Sequence, residues 1–291
     1  MIKQLTILSG KGGTGKTTIT ASFAALAEGV VVADCDVDAP DLHILLHPKP
    51  IRTVEFRGSK LAAIDQTKCA RCGLCRDKCR FNAITGELKV NPFACEGCGV
   101  CALVCPTGSI VLQERISGHV YVSKTERGFM VHAMLAPGEA NSGKLVALVR
   151  QNARVVAERE HASLILVDGA PGIGCPVIAS ITGADVGMIV TEPSISGIHD
   201  LKRALDLLAH FNILPLVCVN MYDINSENTE RIMDYCRMMG VEVVGRIPFD
   251  PVVTEAMVNA EPVIEYSPSS DVAQQLGRIW KRVYEVVMEK G

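Results

Sequence analysis

The chain has 291 residues, 48% of them hydrophobic and 21% charged, with a formal net charge of −3 at pH 7. That length suits one large domain plus a small module, and the charge balance excludes the broad basic footprint of a nucleic-acid binder. The start, MIKQLTILSG, lacks the charged head, long apolar stretch and cleavage site of a secretory signal. No apolar run approaches the ~20 residues that span a bilayer, so a cytoplasmic protein without a membrane span is expected. Twelve cysteines in such a chain point to metal rather than to disulfides.

Residues 2–8 form a short β-rich apolar run, 9–17 a glycine loop, 18–27 a stretch of helical composition, and 30–33 a second apolar run that ends in acidic residues. This β–loop–α–β order opens a parallel α/β fold. Within the loop, Gly10-Lys11-Gly12-Gly13-Thr14-Gly15-Lys16-Thr17 fits G-x-x-x-x-G-K-[ST] after a strand and before a helix. Glycines let backbone N–H groups turn inward around phosphate oxygens, and the helix N-terminus, with Thr18 in its first turn, adds positive potential. Lys16 is expected to reach the β- and γ-phosphates of ATP or the phosphates of ADP, and the Thr17 hydroxyl to bind Mg²⁺.

The α/β pattern stops near Arg57 and resumes after Gly118. Between them Cys69, Cys72, Cys75 and Cys79 recur 26 residues later as Cys95, Cys98, Cys101 and Cys105, Gly73 recurs as Gly99, and Ile84 as Ile110. This internal duplication marks an inserted module over 57–118, with 1–56 and 119–291 as a discontinuous host domain. Each half reads C-x₂-C-x₂-C-x₃-C, the bacterial two-cluster ferredoxin pattern, in which the fourth cysteine of each run ligates the other cluster. Two [4Fe–4S] clusters are therefore expected. Cluster one takes Cys69, Cys72, Cys75 and Cys105, and cluster two takes Cys95, Cys98, Cys101 and Cys79. Zinc is the alternative, but it prefers two C-x₂-C pairs per site to a triplet plus a remote fourth thiolate. Cys105 is followed by the proline of the pattern, whereas Cys79 is followed by Arg80. Cys35, Cys218 and Cys236 read as packed thiols. Cys175, in Gly174-Cys175-Pro176, is either a structural thiol or one that faces a partner or a client metal.

Beyond the insert, 164–167, 188–190, 216–219 and 241–247 read as buried strands, and 201–210, 228–238 and 271–288 as helices. Asp271 is the expected N-cap of the last helix. There Leu276, Ile279, Trp280, Val283 and Val287 share a face suited to packing on a sheet, with a membrane-surface helix as the alternative.

The segment KGGTGKT, with Lys11 as its first lysine, resembles the deviant Walker A motif of the MinD, ParA, Mrp and nitrogenase-iron-protein superfamily of P-loop ATPases. The resemblance implies an α/β fold with a mostly parallel sheet, interrupted here by a small α+β ferredoxin-like domain. It also implies an ATP-sandwich homodimer in which Lys11 reaches the partner's nucleotide and offsets charge on the transferring phosphoryl. Asp34-Cys35-Asp36-Val37-Asp38 resembles the first switch, whose water-positioning carboxylate, near Mg²⁺, is assigned to Asp36, with Asp34 and Asp38 as the alternatives. The run from Leu164 to Gly172, apolar then Asp168-Gly169, resembles Walker B fused to the second switch, with Asp168 holding Mg²⁺. Asn220 at a strand end and the loop Pro248-Phe249-Asp250 resemble the family's base-recognition elements. The segment from Gly138 to Leu145 resembles another family segment. Three functions follow from the resemblance: an ATP-gated electron carrier, an assembly or metal-delivery ATPase of the Mrp-like kind, and, least supported, a MinD-like positioning ATPase. The redox or metallocofactor client is not named by the sequence.

Overall fold

The computed structural model describes residues 2–139 and 143–290. In the resembled segment 138–145, residues 140–142 therefore lie outside the described residues. The chain opens with β1 (Lys3–Ser9), α1 (Lys16–Leu26), β2 (Val30–Asp34), α2 (Leu42–Leu46) and β3 (Lys49–Phe56). Then come β4 (Ser59–Ile64), α3 (Leu74–Asp77), α4 (Val100–Leu103) and β5 (Ile110–Arg115), followed by β6 (Gly118–Thr125) and β7 (Gly128–Leu135). The C-terminal half holds α5 (Gly143–Arg159), β8 (Leu164–Pro171), α6 (Cys175–Ile181), β9 (Val186–Thr191), α7 (Ile195–His210) and β10 (Leu214–Asn220). It ends with α8 (Ser226–Met238), β11 (Glu242–Ile247), α9 (Val252–Val258), α10 (Val263–Tyr266) and α11 (Asp271–Glu289).

One sheet has the order β11-β10-β9-β1-β8-β2-β7-β6-β3. Every ladder from β11 across to β7 is parallel. Parallel strands covered on both faces read as continuous apolar runs, as in β1 and β8. Leu5, Ile7, Leu164 and Leu166 face one layer, made mainly by α1 and α11, while Leu8, Ile189 and Val217 face the other, made by α6, α7 and α8. The apolar face of α11 settles the choice the sequence left open. Leu276, Ile279, Trp280, Val283 and Val287 all lie in the core, and the Trp280 ring sits 5.1 Å from that of Phe23. Among the described residues no helix is long and apolar enough to cross a membrane.

Two expectations about local structure need correction. The cap of α11 is Ser270, whose hydroxyl accepts from the Ala273 N–H, so Asp271 is the first helical residue instead. The strands β3, β6 and β7, at one end of the large sheet, and the β4–β5 pair had no counterpart in the sequence reading. Most of β3 is exposed, so it carries no alternation of buried and solvated positions.

The chain divides into two compact units. The second comprises Val54–His119 and the described residues of Leu135–Ala140, and the first holds the rest. The second unit repeats itself at offset 26 in backbone detail. Ile64 pairs with Ile110 in the antiparallel β4–β5 ladder, and Val90 pairs with Ile84 in an isolated bridge, each being the counterpart of the other. Asp65 N–H donates to the Ser109 carbonyl as Asn91 N–H donates to that of Ala83. Gly73 and Gly99 both take φ near +80° before α3 and α4, and Arg71 and Asn82 adopt the same left-handed conformation as Gly97 and Gly108. The strand entering the first half thus closes on the strand leaving the second.

Candidate nucleotide site and cysteine pairings

The loop between β1 and α1 is held from two sides. Asn220, at the end of β10, donates from Nδ2 to the Thr14 carbonyl at 2.8 Å. A Cβ on Gly15 would fall 2.3 Å from that nitrogen, at φ +87°, so both the space and the backbone require glycine. On the other side a Cβ on Gly10 would fall 2.1 Å from the Cβ of Asp200 in α7.

Lys16 is buried, and its Nζ lies 2.8 Å from Asp168 Oδ1 and 3.8 Å from Asp36 Oδ2. Thr17 donates to Asp168 Oδ2 at 2.9 Å, and Thr20 to Asp168 Oδ1 at 2.9 Å. Asp34 and Asp168 are register partners on adjacent parallel strands, and Asp34 Oδ1 accepts the Asp36 N–H at 3.0 Å. The sheet thereby gathers three carboxylates around one ammonium. Burial alone would lower the Lys16 pKa, but Asp168, Asp36 and Asp34 outweigh it and hold the ammonium above its ordinary range. Burial, and then the charge of Asp168, push the Asp34 carboxyl well up. Asp36 is raised chiefly by burial, with Lys16 opposing.

Lys11 points away from this cluster. Its Nζ meets Glu192 Oε1 at 2.6 Å and Ser196 Oγ at 3.1 Å, both just after β9 in the same chain. A cavity of about 170 Å³ opens beside the loop, lined by Gly13, Gly15, Thr18, Asn220, Pro248 and Phe249 among others. Asp223 fixes the Pro248 turn by accepting the Phe249 N–H at 2.7 Å. Asp250 spends its carboxylate on the Val252 N–H at the start of α9. A larger cavity of about 340 Å³ lies around the N-terminal ends of β2 and β7 and includes none of the phosphate-loop residues.

In the second unit, one enclosed space is lined by Cys69, Cys72, Cys75 and Cys105, and another by Cys79, Cys95, Cys98 and Cys101. Each space thus draws three cysteines from one run and the fourth from the other. Apolar residues Ile84, Leu88, Ile110 and Leu112 pack between them. The Cys105 sulfur lies 3.2 Å from the Ser109 hydroxyl and 3.6 Å from that of Thr107, and these hydrogen bonds pull its thiol down to about 6. The turn after Cys79 keeps the form of the turn after Cys105 despite Arg80. Asn82 N–H reaches the Cys79 carbonyl as Gly108 N–H reaches that of Cys105. Cys35, Cys218 and Cys236 are buried, whereas Cys175, first residue of α6, is exposed.

The profile of the CobQ/CobB/MinD/ParA nucleotide binding domain matches residues 5–263. The chain belongs to this family. An uncharacterized protein of Methanocaldococcus jannaschii is 32% identical over 99% of this chain and 98% of its own length. An iron–sulfur cluster carrier protein of the same organism is 23% identical over 99% of this chain and 86% of its own. Among solved structures, the septum site-determining protein MinD of Pyrococcus horikoshii, complexed with Mg-ADP, aligns with a TM-score of 0.61 at 19% identity over 100% of this chain and 99% of that one. The fold is thus that of a MinD-like P-loop ATPase.

Membership gives the carboxylate cluster a chemical reading. Asp34 Oδ2 is buried without a hydrogen-bond partner among the described residues, as is the Thr14 hydroxyl. Buried charge needs a counter-charge, and three carboxylates exceed one ammonium, so the donor set fits a divalent cation. Asp34, Asp36, Asp168 and the Thr17 hydroxyl are the oxygens available to Mg²⁺, which bound there would neutralise phosphate charge. The cysteine unit fits iron–sulfur chemistry by its donors: eight soft thiolates in two sets of four within an apolar shell. No three or more His, Cys, Asp or Glu among the described residues converge closely enough to cage a single metal ion by themselves, which suits Mg²⁺ held by one or two protein oxygens together with substrate phosphates and water. A cubane spreads its four thiolates over four irons, wider than a zinc ion with ligands at about 2.3 Å.

Sequence reasoning missed Thr20, Glu192, Ser196 and Asp200. Thr20 was within reach, because it lies one helical turn after Lys16 and so shares its face. Glu192 ends an apolar strand as Asp168 does, a weaker signal of the same kind.

Proposed function

We propose that this chain is an ATP-hydrolysing iron–sulfur protein, working as a nucleotide-switched homodimer that couples ATP turnover to electron transfer through two [4Fe–4S] clusters. The observation that carries the reading is the sorting of eight cysteines into two crossed sets of four within a MinD-family ATPase. The clusters would supply one-electron redox capacity. The chain's own residues do the rest. Lys16 exchanges Asp168 for the β- and γ-phosphates. Asp168, released from that ion pair, would hold Mg²⁺ together with Thr17. Asp36 orients water for in-line attack. Asn220, Pro248 and Phe249 form the wall against which a base lies. Lys11 serves the partner's nucleotide after leaving Glu192 and Ser196, a partly exposed ion pair of the kind worth about 1 kcal/mol or less. Its release is therefore cheap relative to the charge it meets on a triphosphate.

A second reading, cluster assembly or delivery, is favoured by the similarity to proteins named iron–sulfur cluster carriers. Anaerobic purification followed by iron and sulfide analysis tests the shared premise. About eight of each per chain is expected for two cubanes, and about two zinc with no iron overturns it. Retention of the clusters through ATP turnover supports the electron carrier. Stoichiometric loss to an apo-acceptor during turnover supports delivery and overturns the first reading.

A further inference from the structure

The duplication in the second unit is a natural control. The two halves share one backbone, so differences between counterpart side chains report what each half faces rather than how it folds. Lys68, Arg71, Arg76, Lys78 and Arg80 correspond to Ala94, Gly97, Ala102, Val104 and Pro106. None of the first set has a basic counterpart in the second. With Asp65 and Asp77 counted, residues 65–80 carry a net charge of +3, whereas 91–106 carry −1 from Glu96 alone. That +3 stands in a chain of net charge −3.

All five basic side chains are exposed. Lys68 pairs with Asp65 at 3.5 Å and Arg76 with Asp77 at 3.2 Å, while Arg71, Lys78 and Arg80 make no ion pair among the described residues. The loop bearing them wraps Cys69, Cys72 and Cys75, and Cys72 itself is exposed. The equivalent loop of the other half presents apolar groups instead: Leu103 is 86% exposed and Phe93 80%. Folding requires neither set, because the backbone hydrogen bonds of α3 and α4 match bond for bond.

We propose that the face formed by Lys68, Arg71, Arg76, Lys78 and Arg80 is the docking site for an acidic one-electron carrier protein. This rests on the reading that the cysteines hold clusters. The choice of partner follows from charge complementarity combined with position. The cations are confined to the loop around one set of thiolates, where a docked redox centre has its shortest path inward. One electron leaves the carrier and enters the module, with no bond made or broken. Transient electron-transfer encounters use small interfaces and electrostatic steering, which suits a patch of five cations. A nucleic acid is less well served, since among residues 65–81 Phe81 alone offers an aromatic face on which a base could stack.

The test uses the full-length loaded protein and, as probe, an oxidised acidic bacterial ferredoxin, with binding measured by calorimetry between 20 and 300 mM salt. Iron and sulfide are assayed first, and protein without iron overturns the cluster reading and the docking site together. With loaded protein, affinity is expected to fall at least tenfold across the salt range. It should fall at least tenfold at low salt in Arg71→Gln/Lys78→Gln/Arg80→Gln. The control Phe93→Gln/Leu103→Gln, at exposed positions of the other half, should match wild type. Zero-length carbodiimide cross-links are expected at Lys68 and Lys78. Iron content unchanged in the triple variant shows that the module is intact, and iron loss moves the measurement to the milder single variant Arg71→Gln. Equal affinity of wild type and variant, or cross-links confined to other lysines, overturns the docking site alone. So does tighter binding of a labelled single-stranded oligonucleotide than of the ferredoxin at the same patch.

Discussion

Replacing Asp34 by Asn probes whether the carboxylate cluster is built to receive a cation. Asp34 and Asp168 are register partners on adjacent parallel strands, which run about 5 Å apart. Two carboxylates at that spacing repel by about 3 kcal/mol at an effective dielectric constant of 20, and Lys16 offsets only part of this for the set of three. Asn keeps the Oδ1 that accepts the Asp36 N–H and removes the charge on the oxygen that has no partner. Allowing for the buried amide N–H₂ that the change introduces, nucleotide-free protein should gain about 1–2 kcal/mol. That corresponds to a rise in Tm of about 2–6 °C for a chain of this size. The folded state holds the Asp34 proton more tightly than the unfolded chain, because burial raises its pKa. Stability of the nucleotide-free wild type should therefore decline as pH rises above the ordinary carboxylate range, and Asp34→Asn should flatten that decline. Thermal unfolding at several pH values, with and without Mg-ATP, measures both effects. Mg-ATP should stabilise the wild type strongly and the variant weakly, since binding stabilises in proportion to the logarithm of affinity. A lower Tm for the nucleotide-free variant, or an undiminished Mg-ATP shift, would refute the cation argument.

Lys16→Ala should abolish nucleotide binding in a fluorescent-nucleotide titration and also lower the Tm, because it strips from three carboxylates the one ammonium that pairs with them among the described residues. Asp36→Ala should bind ATP normally yet hydrolyse it about 10²-fold more slowly in a phosphate-release assay, and a wild-type rate would pass the water-positioning role to a neighbouring aspartate. His132 stacks between His43 and Tyr121, and burial, then His43, depress its pKa from 6.5 to about 4. The unfolded chain takes up this proton first, so stability should drop by about 3 kcal/mol as pH falls from 6.5 to 4. His132→Phe should remove that part of the slope in urea titrations. Trp280→Ala should cost about 3–5 kcal/mol, as deletion of a buried aromatic does, and near-wild-type urea unfolding would show that the α11 face is not a core contact.

The phosphate loop, the strand ending in Asp168 and the cysteine duplication were legible because each is written in a few consecutive residues whose spacing is itself the chemistry. The partners of those residues were not. Lys11 meets Glu192 181 positions away, and Lys16 meets Asp168 across 152. Nothing local in the sequence encodes which strand end will lie beside the loop; that follows from strand order. Strands β3 and β6 failed for another reason. β3 exposes both faces for most of its length, and β6 alternates around only a few buried positions, so neither carries the continuous apolar run that marked the central strands. The cap of α11 was misplaced by one residue because Ser270 and Asp271 are both good caps, and only the backbone angles distinguish them.

The place of β1 in the sheet also sets an order of events during synthesis. β1 is flanked on both sides by β8 and β9, which are synthesised after it and begin only at Leu164 and Val186. Until then its apolar residues have no sheet to join, and the phosphate loop has no carboxylate to close on. The two cysteine runs and the β4–β5 ladder that joins their halves are complete by Arg115. All eight cysteines of the two runs are thus synthesised, and on the proposed reading available to clusters, before the strands that flank β1 exist. Long-range pairing of this kind is slow and leaves apolar strands waiting. If the proposed clusters form, iron supply during translation should therefore govern the yield of loaded protein more than iron added afterwards.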